Sequence, residues 1–149
     1  MAQFGAMMRS FGMRYGYYDP KDCVAARYCD PLIDCWGDLQ GALGKFAFAP
    51  EDQKPPALEN LITVMFRLNK LIEKGLAHHG GKFAAGNSMT IADFVLASYI
   101  GNFLQNGLNP ASASVMAKID ETPKFKQYVT EAKDNFPYLT TRGPMTGPF

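Results

Sequence analysis

The segment at residues 57–78 carries apolar residues at intervals of three and four positions, which is the period of an α-helix. Its repeating residues are Leu58, Leu61, Ile62, Met65, Leu68, Ile72 and Leu76. Burying such a stripe is favourable only when other segments supply a matching apolar surface, because the hydrophobic effect scales with the apolar area removed from water. The pattern therefore predicts a long helix packed against a core.

Similar periodicity predicts further helices at residues 3–15, 22–46, 90–104, 110–118 and 122–135. Pro31 falls within the second of these segments, where its missing N–H group should bend or restart the helix, with Asp30 as a local cap. β-branched residues are scattered and no segment alternates with a period of two, so no strand is predicted. The predicted fold class is all-α, a helical bundle.

The composition limits the kinds of partner that the chain can have. It has 149 residues, of which 47% are hydrophobic, enough for one compact domain with a sizeable core. Fifteen Lys and Arg residues against fourteen Asp and Glu residues leave a net charge of +1, and no basic block stands out. Nucleic acid and anionic membranes are therefore not expected partners. The apolar runs are too short and too often interrupted by charge for a transmembrane segment.

Cysteine usage and the N-terminal composition indicate the compartment. Cys23, Cys29 and Cys35 lie six residues apart, a step of about 240° on a helix, so they point in three directions and cannot share a metal ion. Without a CxxC motif, a signal peptide or a disulfide framework, reduced thiols and a cytoplasmic location are predicted. The first eighteen residues contain two arginines and no acid, as a mitochondrial transit peptide would, but a structural amphipathic helix is the favoured interpretation.

Two polar clusters have residue types that can bind a metal ion. Asp30, Asp34 and Asp38 would form a stripe of carboxylates on a continuous helix, suited to a divalent cation or to acid–base chemistry. A solvated face, or one side of a charged subunit contact, is the favoured interpretation because a proline interrupts the stripe. His78 and His79 are adjacent, so their side chains diverge by about 100° on a helix. No metal site is predicted.

The heptapeptide SMTIADF, residues 88–94, places a hydroxyl group near a carboxylate. Thr90 and Asp93 have the spacing of a capping box, in which each side chain accepts the backbone N–H of the other residue. Met89 and Phe94 stand at the positions of a hydrophobic staple. A serine or threonine nucleophile would need a base and an oxyanion hole, and the sequence shows no such set. The motif is therefore interpreted as the start of a helix, and no catalytic residue is predicted from it.

These residues also carry a resemblance to a known family. GNSMTIADF, residues 86–94, resembles the loop and capping box that open the central helix in the C-terminal helical domain of the glutathione S-transferases, with sigma-like members most similar. GYYDPKDCVAARYCDPLIDCWGDL is similar to the interdomain linker and first long helix of that domain, and TPKFKQYVTEAKDNFPYL to a late helix. The resemblance implies a remnant helix of a thioredoxin-like domain with its linker at residues 1–18, the helical domain at 19–135 and an irregular tail at 136–149.

The resemblance implies roles for individual residues. Gln3 matches the first residue of a Gln-Ser or Glu-Ser pair that binds the γ-glutamyl end of glutathione in the family, although Phe4 replaces the hydroxyl residue. Asp38 falls near the position from which some sigma-like members reach glutathione in the neighbouring subunit. Tyr28 and Trp36 lie on the helix that lines the hydrophobic substrate pocket in the family, and packing in a core or interface is their favoured interpretation.

The resemblance supplies no catalytic residue. In the family, the catalytic Tyr, Ser or Cys and the cis-proline loop that grips glutathione lie in the thioredoxin-like domain, and these have no counterpart in this sequence. We therefore expect a non-catalytic glutathione S-transferase-like protein that binds other protein subunits within a larger assembly; glutathione is not expected as a cofactor, and a homodimer is left open. The alternative is a glutathione transferase, or a glutathione-dependent isomerase, whose thioredoxin-like half comes from another chain or a longer form.

Overall fold

A computed structural model describes residues 3–141, 143 and 147 of the chain. Its α-helices are α1 (Phe4–Tyr15), α2 (Cys23–Ala47), α3 (Lys54–His79), α4 (Ile91–Tyr99), α5 (Ser112–Met116), α6 (Pro123–Asn135) and α7 (Tyr138–Thr141). Short 3₁₀ turns occur at Glu51–Gln53 and Ile119–Glu121, and a π-helical turn at Ile100–Leu104 follows α4. Within the described ranges the backbone forms no sheet, and the predicted all-α fold is confirmed.

The long helix α3 packs against α2, α5 and α6. Its buried residues are Leu61, Met65, Leu68, Asn69, Ile72 and Leu76, which include most of the predicted apolar stripe. The neighbouring face of α2 contributes Leu32, Ile33, Trp36 and Leu39 to the same core. Asn69 is the polar member of the α3 stripe, and its side-chain oxygen accepts a hydrogen bond from the Tyr99 hydroxyl at 2.8 Å. The buried amide oxygen therefore has a partner, as a stable core requires.

Helix α4 is apolar on nearly every side, since Ile91, Ala92, Val95, Leu96 and Ala97 are all buried. A helix of this kind has to be surrounded by other elements, and α4 contacts α1, α2 and the π-helical turn. The prediction that this helix reaches residue 104 is confirmed, with the difference that the last turn widens into a π-helix. No helix among the described residues combines the length and apolarity needed to cross a bilayer.

Helix α2 is continuous from Cys23 to Ala47 through Pro31, so of the two predicted effects of the proline the restart is wrong, and the bend stays a prediction. Pro31 offers no N–H group to the carbonyl of Arg27, but both residues are exposed, and water can satisfy that carbonyl. Asp30 does not act as a local cap. Its carboxylate instead accepts hydrogen bonds from the Arg9 guanidinium and the Tyr18 hydroxyl.

The C-terminal segment differs in part from the irregular tail expected at residues 136–149. Residues Tyr138–Thr141 form α7, and Leu139 is buried. Phe136 is buried as well, with its ring centroid 6.4 Å from that of Tyr128. These two apolar side chains bring the segment back to the core and so favour a short helix. Most of residues 142–149 lie outside the described residues, and the expectation for them stays a prediction.

Helix α1 approaches the rest of the bundle most closely at two of its glycines. Gly12 is the buried residue of this helix, and a Cβ atom placed on Gly5 would meet the Ile33 side chain at 3.3 Å. A Cβ atom on Gly12 would lie 2.5 Å from the Ile91 side chain and 2.7 Å from that of Tyr18. Glycine therefore lets α1 approach α4 this closely. Met8 is partly buried against the core, but the other large apolar side chains of α1 remain exposed, although their periodicity is that of a helix with a buried face.

Replacing Gly12 with alanine tests this close packing. The added methyl group must displace Ile91 and Tyr18, and we expect the free energy of unfolding to fall by about 1–3 kcal/mol. Gly41→Ala on α2 is the matched control, because a Cβ atom there meets nothing within 4 Å and alanine favours a helix over glycine by about 1 kcal/mol. Urea denaturation measures both changes, and equal stability of the two variants would contradict the described packing of α1.

Candidate functional site

The Asp93 carboxylate lies in the first turn of α4 and is fully buried. Its Oδ2 atom accepts hydrogen bonds from the Thr90 backbone N–H at 2.7 Å and from the Thr90 hydroxyl at 3.0 Å. Its Oδ1 atom accepts hydrogen bonds at 2.7 Å from the Ala84 backbone N–H and from the Tyr128 hydroxyl. Thr90 and Asp93 also form a capping box in both directions. Four donors offset the cost of burying the carboxylate and join α4 to the preceding loop and to α6.

The titratable neighbours of Asp93 are held in their protonated forms. Burial, followed by the nearby charge of Asp93, raises the pKa of Tyr128 well above its ordinary value. Burial also raises the pKa of the Cys29 thiol, although a hydrogen bond with the Thr90 side chain opposes that shift. A cysteine nucleophile needs a lowered pKa. The cluster therefore stabilises the fold and has no activated nucleophile.

The start of α4 also holds the segment that follows α1. The backbone N–H of Ile91 donates to the carbonyl of Tyr17 at 3.0 Å. The rings of Phe94 and Tyr17 meet edge to face, with their centroids 5.1 Å apart. Met89, the other expected member of the staple, is partly buried against the core. The ring contact observed for Phe94 thus ties α4 to the linker.

Two members of the predicted acidic stripe bind Arg9 of α1. The Arg9 Nε atom lies 2.8 Å from Asp30 Oδ1, and its Nη2 atom lies 3.0 Å from Asp34 Oδ1. The Tyr18 hydroxyl donates a further hydrogen bond to Asp30 at 3.0 Å. A planar guanidinium suits this bridge between two carboxylates. These residues form a charged contact within the chain, and no three potential metal ligands come together among the described residues.

The two residues implied as remnants of a glutathione site are both exposed. Gln3 stands at the N-cap position of α1, and its side chain makes no capping hydrogen bond. Asp38 lines a groove of about 530 Å³ between α2 and α3, together with Lys45 and Arg67. The structure thus separates Asp38 from the contact that Asp30 and Asp34 make with α1. The assignment of Gln3 and Asp38 to glutathione stays a prediction.

Tyr28 and Trp36 occupy different environments although both lie on α2. Trp36 is buried, and its ring centroid lies 6.0 Å from that of Phe4 and 5.7 Å from that of Phe103. It therefore packs between α1 and the π-helical turn. Tyr28 is partly buried, lines a cavity of about 270 Å³ between α2 and α3, and meets the His79 ring edge to face at 5.1 Å.

Several partners of these residues are not visible in the sequence. Tyr128 reaches Asp93 across 35 positions of the chain, and Arg9 reaches Asp30 across 21. Glu73 of α3 accepts the backbone N–H of Phe125 at 2.8 Å, and so caps the first turn of α6 across 52 positions. Tertiary packing brings these distant residues together, so no local sequence motif predicts the pairs. The sequence indicates only that a carboxylate in an apolar segment must find hydrogen-bond donors, without showing which residues supply them.

Helix α1 carries an exposed apolar surface, called the α1 face below and made of Phe4, Met7, Phe11 and Tyr15. Their exposed fractions are 38%, 41%, 56% and 62%. Intervals of three and four residues place the four side chains on one side of the helix. Contiguous apolar surface of this kind usually marks an interaction site. The α1 face is therefore the candidate functional surface of the described residues.

Asp93→Ala tests the importance of the buried carboxylate. The change leaves the N–H groups of Ala84 and Thr90 and the Tyr128 hydroxyl without their acceptor, so we expect a loss of about 3 kcal/mol or more in the free energy of unfolding. Tyr128→Phe removes one donor and leaves the carboxylate with three, and it should cost about 1 kcal/mol. Urea denaturation at neutral pH compares the two variants. A loss for Asp93→Ala no greater than that for Tyr128→Phe would show that the carboxylate is an ordinary cap.

Comparison with protein families identifies the helical domain. Residues 37–135, about two-thirds of the chain, match the family described as glutathione S-transferase, C-terminal domain. The matched range contains α3, the Thr90–Asp93 capping box and the buried helix α4, and it ends with α6. A search of curated proteins gives no match. On the family match and the all-α fold, the chain belongs to the glutathione S-transferase C-terminal domain family.

Proposed function

We propose that this chain acts by binding another protein through the α1 face, as a non-catalytic glutathione S-transferase-like subunit of a larger assembly. The observation that carries the proposal is the exposure of the large apolar side chains of α1. Removing apolar surface from water is worth roughly 25 cal/mol per Å². A protein that covers the α1 face therefore gains binding free energy from it.

The α1 face is preformed because the other side of α1 is fixed to the bundle. Arg9 binds Asp30 and Asp34, and Gly12 lies against Ile91. Rotating α1 to bury its apolar side chains would break the two ion pairs and would place bulky side chains where glycine now fits. A surface that is already ordered loses little conformational entropy on binding, which favours association.

The residues around the α1 face indicate the chemistry of the partner. Met7, which is 41% exposed, has a flexible side chain that adapts to the shape of a partner. The Arg14 guanidinium lies 5.6 Å from the centre of the Tyr15 ring, and α1 contains no acidic residue. We therefore expect the partner to present an apolar surface flanked by a carboxylate.

Several hydroxyl and thiol groups of the described chain are poorly placed to activate glutathione. A transferase needs a hydroxyl or thiol that stabilises the glutathione thiolate. Three tyrosine hydroxyls already donate to neighbouring side chains, namely Tyr18 to Asp30, Tyr99 to Asn69 and Tyr128 to Asp93. Burial raises the pKa of both Cys29 and Cys35, which keeps these thiols protonated. These observations support a role in binding.

The alternative function is glutathione transferase or isomerase activity completed by a thioredoxin-like half from another chain or a longer form. Membership of the family favours this alternative. In that case the thioredoxin-like half would cover the α1 face, so both functions require the face to be buried in the working protein. They differ in whether the resulting complex binds and turns over glutathione.

Charge substitution on the α1 face tests the proposed binding. We expect the double variant Phe11→Glu with Tyr15→Glu to abolish a complex of defined mass that the unmodified chain forms in its own cells, measured by native mass spectrometry after affinity purification. Phe48→Glu is the matched control, because Phe48 is 90% exposed at the turn that follows α2 and lies outside the α1 face. If Phe48→Glu also lost the complex, or if the double variant kept it, the proposal that the α1 face binds the partner would be contradicted.

A glutathione-agarose binding assay and a conjugation assay with an electrophilic aromatic substrate separate the two functions. We expect neither retention nor turnover, both for the isolated chain and for the purified complex. Specific binding and turnover by the isolated chain would overturn the non-catalytic proposal. Turnover by the complex alone would establish the alternative.

A further inference from the structure

The ring of His79, the last residue of α3, is bound on two sides by the α3–α4 loop, residues 80–90. Its Nδ1 atom lies 3.0 Å from the backbone nitrogen of Gly81, and its Nε2 atom lies 2.8 Å from the carbonyl oxygen of Ala84. A backbone N–H group can only donate and a carbonyl oxygen can only accept. His79 must therefore accept through Nδ1 and carry its proton on Nε2, which is the neutral form of the ring.

The backbone of the loop folds tightly around these contacts. Gly80 adopts a left-handed conformation with φ of 62° and donates its N–H to the carbonyl of Leu76 at 3.0 Å. Phe83 and Gly86 exchange two backbone hydrogen bonds, of 2.8 Å and 3.2 Å. Ala84 lies between them, and its N–H donates to Asp93 while its carbonyl accepts from His79. Within the loop, Gly81 thus depends on His79, whereas Phe83 is held by Gly86 and the N–H group of Ala84 by Asp93.

We propose that His79 is a pH-sensitive latch that holds Gly81, and with it Lys82, against the end of α3 while its ring is neutral and releases them when the ring is protonated. Protonation places a hydrogen on Nδ1, which then faces the N–H group of Gly81, so that two donors oppose each other. That hydrogen bond is lost. The bond from Nε2 to the Ala84 carbonyl is retained, because the protonated ring still donates there.

Charged groups of both signs surround the loop. The titratable and charged groups on the surrounding elements are Tyr17, Tyr18, Asp19 and Asp22 of the segment between α1 and α2, Arg27, Tyr28 and Cys29 of α2, Lys74 and His78 of α3, Lys82 of the loop, Asp93 of α4, and Lys124, Tyr128 and Glu131 of α6. Both oxygens of Asp93 already accept hydrogen bonds, and Glu131 accepts one from Gln127. Neither carboxylate is shown pairing with the His79 ring. The ring is only partly buried, so solvent can reach it.

Release of the latch would change the surface between the loop and α6. Gly80, Gly81 and Lys82 form one side of a polar groove of about 410 Å³, whose opposite side includes Lys124 and Glu131 of α6. Movement of Gly81 and Lys82 would widen this groove, while Gly80 and Phe83 would keep their backbone hydrogen bonds and Ala84 would stay bound to Asp93. Acidification would therefore loosen one segment and leave the start of α4 intact. The inference is independent of the α1 face and of the proposed function.

Nuclear magnetic resonance of the full chain tests the latch directly. At pH 8 the ¹⁵N shifts of the His79 ring should show the form with the proton on Nε2. Between pH 8 and pH 5 the protection factor of the Gly81 amide against hydrogen exchange should fall about tenfold, the effect of losing one hydrogen bond. Its midpoint should coincide with that of the His79 ring. The protection factor of the Ala84 amide should change much less, since its acceptor is Asp93.

Two variants separate His79 from the adjacent histidine. His79→Gln lacks an acceptor at the Nδ1 position, so Gly81 should be weakly protected at both pH values. His78→Gln, at an exposed site, should keep the pH dependence. An unchanged pH dependence of Gly81 in His79→Gln would overturn the latch. If His79→Gln does not fold, measurements on the unmodified protein still test the proposal. Two results would overturn it: a His79 ring that carries its proton on Nδ1 at pH 8, or a Gly81 amide that stays protected while the ring becomes protonated.

Discussion

The Asp93 carboxylate is buried at the start of a helix that is itself buried, and it accepts four hydrogen bonds from groups in the loop before α4, in α4's own cap and in α6. A buried carboxylate is tolerated only when hydrogen-bond donors surround it, because a charge removed from water without them is costly. The helix cannot move outward to rehydrate the carboxylate, because nearly all of its other side chains are apolar. The positions of the α3–α4 loop and of Tyr128 are thus determined together, and the loop in turn positions His79.

The same start of α4 fixes the N-terminal part of the chain. Ile91 contributes its N–H to the linker and its side chain to the surface on which Gly12 rests. Together with the Arg9 contact, this holds α1 by a small, partly polar side and leaves its large apolar side chains exposed. A helix of an isolated domain normally buries its large apolar side chains and exposes its polar ones. A partner protein that covers the exposed side of α1 would explain why this helix has the opposite orientation.

The sequence was sufficient to predict the elements whose signals are local. The stripe from Leu58 to Leu76 and the spacing of Thr90 and Asp93 correspond to a core helix and a helix start in the structure. The predicted restart of the helix at Pro31 was wrong because a proline on an exposed side of a helix removes one hydrogen bond without ending the helix. The outward direction of the α1 face and the donors to Asp93 depend on contacts between distant segments, which periodicity and spacing do not encode.

Methionine oxidation measures the exposure of α1 with references inside the same molecule. Met7 in the α1 face and Met13 on another side of α1 are 41% and 52% exposed, whereas Met65 in the core is fully buried. Dilute peroxide followed by peptide mass spectrometry should oxidise Met7 and Met13 in the isolated chain and spare Met65. In the assembly purified from the cells that make the protein, Met7 should be protected as well. Equal oxidation of Met7 in the isolated chain and in the assembly would contradict the claim that a protein partner covers the α1 face.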